Sequence, residues 1–315
     1  MSDESGLTGE QINDERARAL ADAERELADA ERKLEEVRNR PKTMTDNFQQ
    51  SISKKLEDIR ELSVFVEICS KAIYQAIKGV QQIDAWQGMA EVFGTKAIEP
   101  GDNLDKAKAH AGVLASFAEL QQSNGNPYLY GLSSIRLWTL LEALIDELVV
   151  EAMKDPALCD KAPLSKLKGS LIEFKSASPD EQAEFLAETL KQAVDAPLKL
   201  GIGRFEAILV AVRLGGSVDE NVKRTLFELS QVRNCVVHKS GIADRRLIEA
   251  CPWLNAERGK DLRVTNAMFN RYMIAVYWYL CELRGRVDER NGEQRDAEFL
   301  KGHSLIAQRL MELTP

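Results

Sequence analysis

The sequence predicts an all-α protein, and three observations carry that prediction. Glycine and proline are scarce, at 19 and 9 of 315 residues. Long stretches place apolar residues at helical spacing, and few segments alternate apolar and polar residues as half-exposed strands do. Hydrophobic residues make up 44% of the chain, enough for a sizeable core. The length suggests about two domains.

The net charge and the cysteines argue against several kinds of binding site and covalent framework. The net charge of −8 argues against nonspecific coating of DNA or of an anionic membrane. The five cysteines are scattered and form no C-x-x-C pair, so neither a zinc site nor a disulfide framework is indicated. The sequence shows no signal-peptide pattern and no 18-residue apolar run. We therefore expect a cytoplasmic protein with reduced thiols, no metal, no cofactor and no membrane contact.

Residues 1–41 form the first predicted region, a highly charged helix that ends at Pro41. Its apolar residues repeat every seven positions, as in a short coiled coil, but over too few heptads to settle that structure. The segment is therefore either a weak self-association element or helical hairpin, or a single solvated helix packed on its own protein. The seam consists of Leu20, Leu27 and Leu34, with Ala23, Ala30 and Val37 at the second heptad position.

Residues 42–126 form a predicted N-terminal helical region, interrupted by a loop at 94–102. The segment SNGNP at 123–127 is a strong helix break. We place the main domain boundary there.

Residues 127–287 carry a denser apolar pattern, typical of a helical bundle. The segment 132–153 is apolar on most sides, as expected for a central buried helix. Ser178 and Glu181 flank Pro179 as a capping box, which predicts a helix start. The last bundle helix is predicted at 266–285. A charged tail with one short helix follows over 288–315.

A helix predicted over 218–240 holds the residues that point to chemistry. Its apolar residues lie on one stripe at about 100° per residue. Arg233 falls within that stripe, where an unpaired charge would be costly to bury. We therefore expect a partner, and Glu142 and Asp146 on the central helix are the candidates. The stripe consists of Val222, Leu226, Leu229, Val232 and Val236.

Asn234 and His238 are neighbours on a second face of this helix, which Phe227 also occupies. Arg233 and His238 lie about 140° apart by the same arithmetic. One helix does not easily aim both at a single atom. Either the long arginine side chain or the same helix of a second subunit would close the gap. A twofold dimer would build a composite cleft.

His238 sits in the last helical turn, ahead of Gly241. The negative end of the helix dipole favours an imidazolium at such a position. A histidine there suits a reaction that both takes and gives a proton near neutral pH. The structural alternative is an ion-pair anchor at Arg233, a polar spacer at Asn234 and a helix cap at His238.

The segment Arg233, Asn234, Cys235-Val236-Val237, His238 resembles the hallmark of the HEPN superfamily. That hallmark is an arginine, a polar residue, three further residues and a histidine. The resemblance spans about 128–285, and the surroundings of the motif also resemble stand-alone prokaryotic HEPN proteins of the toxin and defence type. Besides the motif it includes segments similar to the family's at 133–148, 204–216 and 268–283.

The resemblance implies a four- or five-helix bundle that dimerises and places the motif in a cleft between subunits. It also implies a metal-independent endoribonuclease. His238 would exchange protons with the ribose 2′-OH and the leaving 5′-oxygen. Arg233 would hold the phosphate, and Asn234 would orient His238 or contact RNA. The products would be a 2′,3′-cyclic phosphate and a 5′-OH.

The basic residues around the motif become candidates for RNA contact under this resemblance. Between residues 223 and 246, six basic residues oppose two acidic ones. Ordinary surface charge explains the same excess. The candidates are Lys223, Arg224, Lys239, Ser240, Arg245 and Arg246.

Ser240 marks a departure from one subset of the family, in which a tyrosine at this position is adenylylated. Regulation by that route is therefore in doubt. The expected partners are an RNA substrate, a second copy of the chain, and an antitoxin or defence-system protein recruited through the N-terminal helices. Two alternatives stay open: a catalytically silent dimerisation or interaction module, and a protein that binds RNA or nucleotides without cleavage.

Overall fold

The computed structural model describes residues 43–92, 102–155, 171–193 and 201–313, together with Arg25 and Cys159. Within these residues the regular structure is helical and no strand occurs, which confirms the predicted all-α class. A lone antiparallel bridge pairs Ile242 with Asp261. None of the helices in these ranges combines the length and the apolar character that crossing a membrane requires.

The chain divides into two compact units, Met1–Thr43 and Met44–Pro315. The predicted charged helix and heptad seam at 1–41 lie outside the described residues, apart from Arg25. The first helix of the second unit, α1, runs over Met44–Val92, and α2 runs over Asp102–Ser123. The loop predicted at 94–102 falls almost wholly outside the described residues.

The predicted break at 123–127 is a turn between two helices of one compact unit. Gly125 and Asn126 adopt left-handed backbone angles, with φ of 76° and 57°. Helix α3 then begins at Pro127 and ends at Met153. Because α1 packs against α3, residues on both sides of this turn share one core. The structure therefore places no division between 42–126 and 127–287.

The core is built around α3, and α1 supplies one of its walls. Phe48 and Ile52 of α1 are buried in the same cluster as Leu141 and Leu144 of α3. Buried apolar area of this kind stabilises by roughly 25 cal/mol per Å². This packing joins α1 to the bundle, a contact between residues nearly a hundred positions apart.

Three helices follow on the way to the motif: α4 (Leu171–Ser176), α5 (Pro179–Ala193) and α6 (Ile202–Ala211). The predicted capping box opens α5. The Glu181 carboxylate accepts from the Ser178 backbone N–H at 2.7 Å, and Ser178 Oγ accepts from the Glu181 N–H at 3.4 Å.

The motif helix is α7, Glu220–His238. Asp219 caps its start by accepting from the backbone N–H groups of Asn221 and Val222. The predicted apolar stripe faces the core: Val222, Leu226, Leu229 and Val232 are fully buried, and Val236 packs partly buried against them.

Beyond the motif, α8 (Arg245–Ala250) and a turn of 3₁₀ helix (Pro252–Leu254) precede the long α9, Asn266–Arg290. The predicted short helix of the C-terminal tail is α10, Ala297–Leu313. It packs against α9 and α7 and buries Leu310, so the tail is part of the bundle.

Candidate active site

The end of α7 is shaped by a reversal of the chain just after His238. Ser240 and Gly241 both have left-handed backbone angles, with φ of 52° and 80°. The backbone N–H groups of Lys239 and Gly241 donate to the Cys235 carbonyl at 3.0 and 3.1 Å. Glycine fits the second position because it adopts this angle without strain. The reversal leaves His238 exposed at the helix end.

Two backbone hydrogen bonds then fix the chain that leaves this turn. The Leu262 N–H donates to Gly241 O at 2.7 Å, and the Ala243 N–H donates to Lys260 O at 2.9 Å. The segment 259–265 therefore contributes the bridge to Ile242, but it forms no strand. The turn that presents His238 is tied to the rest of the unit through this pairing.

Arg233, Asn234 and His238 meet within one chain. Arg233 Nη1 lies 3.1 Å from Asn234 Oδ1 and 3.3 Å from His238 Nε2. Of the two expected ways to close the gap between Arg233 and His238, the structure shows the first, the long arginine side chain. The 140° separates the backbone positions of Arg233 and His238 around the helix axis. The long arginine side chain extends along the helix surface, so that its guanidinium reaches the last turn. No second subunit is needed for this contact.

The contact also restricts the proton on His238. A guanidinium has only donors, so it bonds Nε2 only when that nitrogen carries no proton. A hydrogen bond across this 3.3 Å contact therefore requires the tautomer with its proton on Nδ1. In that tautomer Nε2 holds a lone pair that faces Arg233.

Glu142 is the acidic neighbour of Arg233. Its carboxylate lies 3.7 Å from Arg233 Nη2, and the arginine side chain is 26% exposed. Asp146, the second candidate on the same helix, pairs instead with Lys191 at 3.2 Å. The Arg233 Nε is buried and has no hydrogen-bond partner among the described residues. Arg233 thus sits between the apolar stripe and the surface, with part of its donor capacity unused.

A polar pocket of about 250 Å³ opens beside this group. Asn234, His238, Lys239 and Arg246 line it. Cys235 forms part of its wall, and its thiol donates to Ile242 O at 3.3 Å. Burial, followed by the nearby Asp244 carboxylate, raises the pKa of the Cys235 thiol to about 11. The thiol therefore stays protonated near neutral pH and does not act as a nucleophile.

The basic patch predicted from the sequence is smaller in the structure. Lys223 and Arg245 have their charges paired, at 2.6 Å, with Glu220 and Glu249. Arg224 lies over the Trp253 ring, 4.3 Å from its centroid, near the other end of α7.

Lys239 and Arg246 are the predicted RNA contacts that remain at the pocket. Both are exposed, and neither forms an ion pair within the described ranges. Asp244, an acidic residue of the same pocket, has its carboxylate engaged as the cap of α8, accepting from the Leu247 N–H at 2.9 Å. Ser240 faces a different cleft. Two exposed cations and one capping carboxylate therefore line the pocket.

Sequence reasoning missed a larger cleft of about 650 Å³ on the other side of the turn. The start of α3, the end of α7 and residues 261–264 enclose it. These segments are distant in sequence, so no local pattern places them together. The available signal was Tyr128, a large aromatic residue directly after a helix break.

Across the described ranges, no group of three or more histidine, cysteine, aspartate or glutamate side chains is placed to hold a metal ion.

Comparison with known proteins gives no relative. No family model, no curated protein and no solved structure matches the chain. The function is therefore inferred from the geometry of the site.

Proposed function

We propose that the protein is a metal-independent endoribonuclease of the HEPN type. One observation carries the proposal: Arg233 contacts both Asn234 and His238, and those two residues line a polar pocket. Lys239 and Arg246, which form no ion pair within the described ranges, line the same pocket. An imidazole, a donor-rich guanidinium and nearby cations are groups that support RNA cleavage by its own 2′-OH.

The proposed reaction is an in-line displacement at phosphorus. The ribose 2′-oxygen forms a bond to phosphorus while the bond from phosphorus to the 5′-oxygen breaks. The 2′-OH proton leaves to a base, and the 5′-oxygen gains a proton as it departs. His238 Nε2 holds the lone pair that accepts the first proton or, once protonated, donates the second. The products are a 2′,3′-cyclic phosphate and a 5′-OH.

Arg233 has the electrostatic role in this scheme. The transition state carries extra negative charge on the phosphoryl oxygens, and a preorganised guanidinium stabilises it. In the free protein the Nη1 group of Arg233 contacts Nε2 of His238. A bound phosphate competes for that donor, so substrate binding would release the histidine nitrogen for proton transfer. Asn234 Oδ1 keeps the guanidinium oriented during this exchange.

The test is cleavage of tRNA and total RNA by purified protein in EDTA. We expect wild-type protein to cleave, and His238→Ala and Arg233→Ala to lose at least about a hundredfold in rate, as is typical for general acid–base groups. Arg245→Ala is the matched control, because Arg245 is already paired with Glu249 at the surface. Mass spectrometry of the products should find cyclic phosphate ends.

Two outcomes contradict the proposal. One is the absence of cleavage by the wild-type protein on every RNA tested. The other is cleavage that His238→Ala leaves unchanged, since contamination by another nuclease would explain it.

The dimer and the biological setting belong to the same proposal. A homodimer could juxtapose two pockets on one RNA, although Arg233 and His238 meet without it. Light scattering of the full chain tests the dimer. A toxin or anti-phage defence role, with an antitoxin partner, predicts growth arrest on expression. That arrest should disappear in both His238→Ala and Arg233→Ala.

A second candidate function is a catalytically silent interaction module. Exposed apolar residues on α2 favour it, because Val113, Leu114 and Phe117 face solvent on a helix whose Ala115 and Ala118 are buried. Intact RNA in the assay above, together with dimerisation that Phe117→Ser abolishes, would favour this module over the nuclease.

A further inference from the structure

The 650 Å³ cleft has the size and the walls of a ligand site. Pockets for small molecules commonly enclose about 300–1,000 Å³ and combine apolar walls with a few polar groups. Leu132, Ile135 and Val236 supply apolar surface here. Tyr128 borders the cleft with 63% of its surface exposed. Its ring stands edge-on to Phe117, with centroids 6.5 Å apart.

Two amide side chains line the cleft, each with one of its two polar groups engaged in a hydrogen bond. Gln121 Oε1 accepts from the Tyr128 backbone N–H at 3.2 Å, which leaves its NH₂ group as a donor. Asn124 Nδ2 donates to Leu120 O at 2.8 Å, which leaves its carbonyl oxygen as an acceptor. A donor and an acceptor side by side match the edge of a nucleobase, which carries both kinds of group.

The lining of the cleft carries one basic and one acidic residue. Arg263 lines the cleft, is exposed and forms no ion pair within the described ranges. Asp261 lines the same cleft and partly offsets this charge. Lys239 lines the polar pocket and directly precedes Ser240, which lines this cleft. Arg263 at the cleft and Lys239 at the polar pocket are therefore two basic side chains available to a phosphate backbone that spans both.

The two pockets lie on opposite sides of one helix terminus. Val236 lines the larger cleft and His238 lines the smaller one. Residues two positions apart on a helix point in directions about 200° apart around its axis. The separation between the two pockets is on the order of a helix diameter, about 10 Å. A single-stranded chain of a few nucleotides spans that distance by passing over the exposed turn at Lys239 and Ser240.

We propose that this cleft binds a nucleobase of single-stranded RNA near the scissile phosphate, with Tyr128 stacking on the base and Arg263 contacting the backbone. The proposal rests on the nuclease function proposed above and gives it a substrate class, single-stranded RNA with base preference. Aromatic stacking and basic grooves are the recurring means of binding single strands. Gln121 and Asn124 read the base edge.

The experiment measures RNA binding apart from cleavage. His238→Ala protein is titrated against fluorescein-labelled ten-nucleotide homopolymers of A, C, G and U, with fluorescence anisotropy as the readout. Adding Tyr128→Ala should weaken binding about 5- to 100-fold, as loss of one stacked base does. Adding Tyr128→Phe should restore it, because the ring remains. Tyr277→Ala is the matched control, an exposed tyrosine on α9 that lines a different groove.

A second variant tests base reading rather than affinity. Gln121→Glu keeps the oxygen that accepts from Tyr128 and removes the amide donors. We expect it to change the order of preference among the four homopolymers. An unchanged order in this variant, with an unchanged melting temperature, would overturn base reading by Gln121.

The remaining outcomes separate the two proposals. If wild-type protein cleaves RNA normally but Tyr128→Ala leaves RNA binding unchanged, the base subsite alone is overturned. If RNA binding depends on Tyr128 but wild-type protein does not cleave RNA, the proposed nuclease function is overturned and the base subsite stands. Dimerisation that Tyr128→Ala abolishes, without effect on RNA binding, would show the cleft to be a protein interface and overturn its assignment to RNA.

Discussion

The carboxylate of Glu228 and the guanidinium of Arg271 form an ion pair in the core, with 1% and 5% of their side chains exposed. Glu228 lies on the motif helix, five residues before Arg233. Its oxygens also accept from the Tyr272 hydroxyl and the Trp253 indole N–H, each at 2.6 Å. This acidic residue therefore anchors α7 to α9 and does not offset the surface charge around the motif.

Breaking that pair from one side should be costly. Arg271→Met leaves a buried carboxylate without its counterion, and we expect the free energy of unfolding to fall by about 3–5 kcal/mol. Urea denaturation measures it. Arg245→Ala, which breaks the exposed pair with Glu249, should change stability by less than about 1 kcal/mol. Equal effects of the two changes would contradict the anchoring role.

Glu142 should act as a positioning residue for Arg233. Glu142→Gln removes the charge 3.7 Å from the guanidinium, and we expect the rate of RNA cleavage to fall about threefold to tenfold. The effect should appear in kcat more than in KM. Asp146→Asn is the control on the next turn of α3, because Asp146 pairs with Lys191. A matching loss in Asp146→Asn would mean that general surface charge is responsible.

Arg246 and Arg245 are adjacent in sequence but differ in their surroundings. Arg246 lines the polar pocket without an acidic partner in the described part of the chain, whereas Arg245 is paired. Arg246→Ala should weaken single-stranded RNA binding and reduce the slope of log affinity against log salt by about 0.7. Arg245→Ala should leave the slope unchanged. Anisotropy titrations at several salt concentrations test both expectations.

His303 should make the stability depend on pH below its ordinary pKa. Its ring stacks on Trp278, 4.0 Å between centroids, and burial lowers its pKa below the ordinary value of 6.5. As the pH falls below 6.5, His303 becomes protonated in the unfolded chain while it stays neutral in the folded protein. Stability should therefore be complete above pH 6.5 and decline as the pH falls towards the folded pKa.

Urea denaturation at pH 7.5 and 5.5 tests this linkage. His303→Gln should show a smaller loss of stability between the two pH values than the wild type. An equal loss in both proteins would assign the pH dependence to other groups.

Local signals in the sequence predicted the helices well. The capping box at Ser178 and Glu181 marks the start of α5, and helical spacing places α7 within two residues at each end. These features are carried by near neighbours along the chain, so one sequence is enough to find them.

Features that depend on long side chains or distant segments were not predictable in the same way. The turn at 123–127 is a real break, but the packing of α1 on α3 decides that it separates no domains. Helical angles describe where Arg233 begins and not where its guanidinium ends. The cleft beside Tyr128 exists because residues near 128, 240 and 262 converge.

Helix α10 completes the core late in the sequence. Leu310 joins the buried cluster that holds Val222 and Leu226, and the carbonyl of Leu313 accepts from Arg271. During synthesis the motif helix leaves the ribosome well before α10 does. Because a domain folds as a unit, the nascent chain lacks the finished support for His238 until α10 emerges. The packing order thus delays assembly of the site until residues about seventy positions after His238 have been translated.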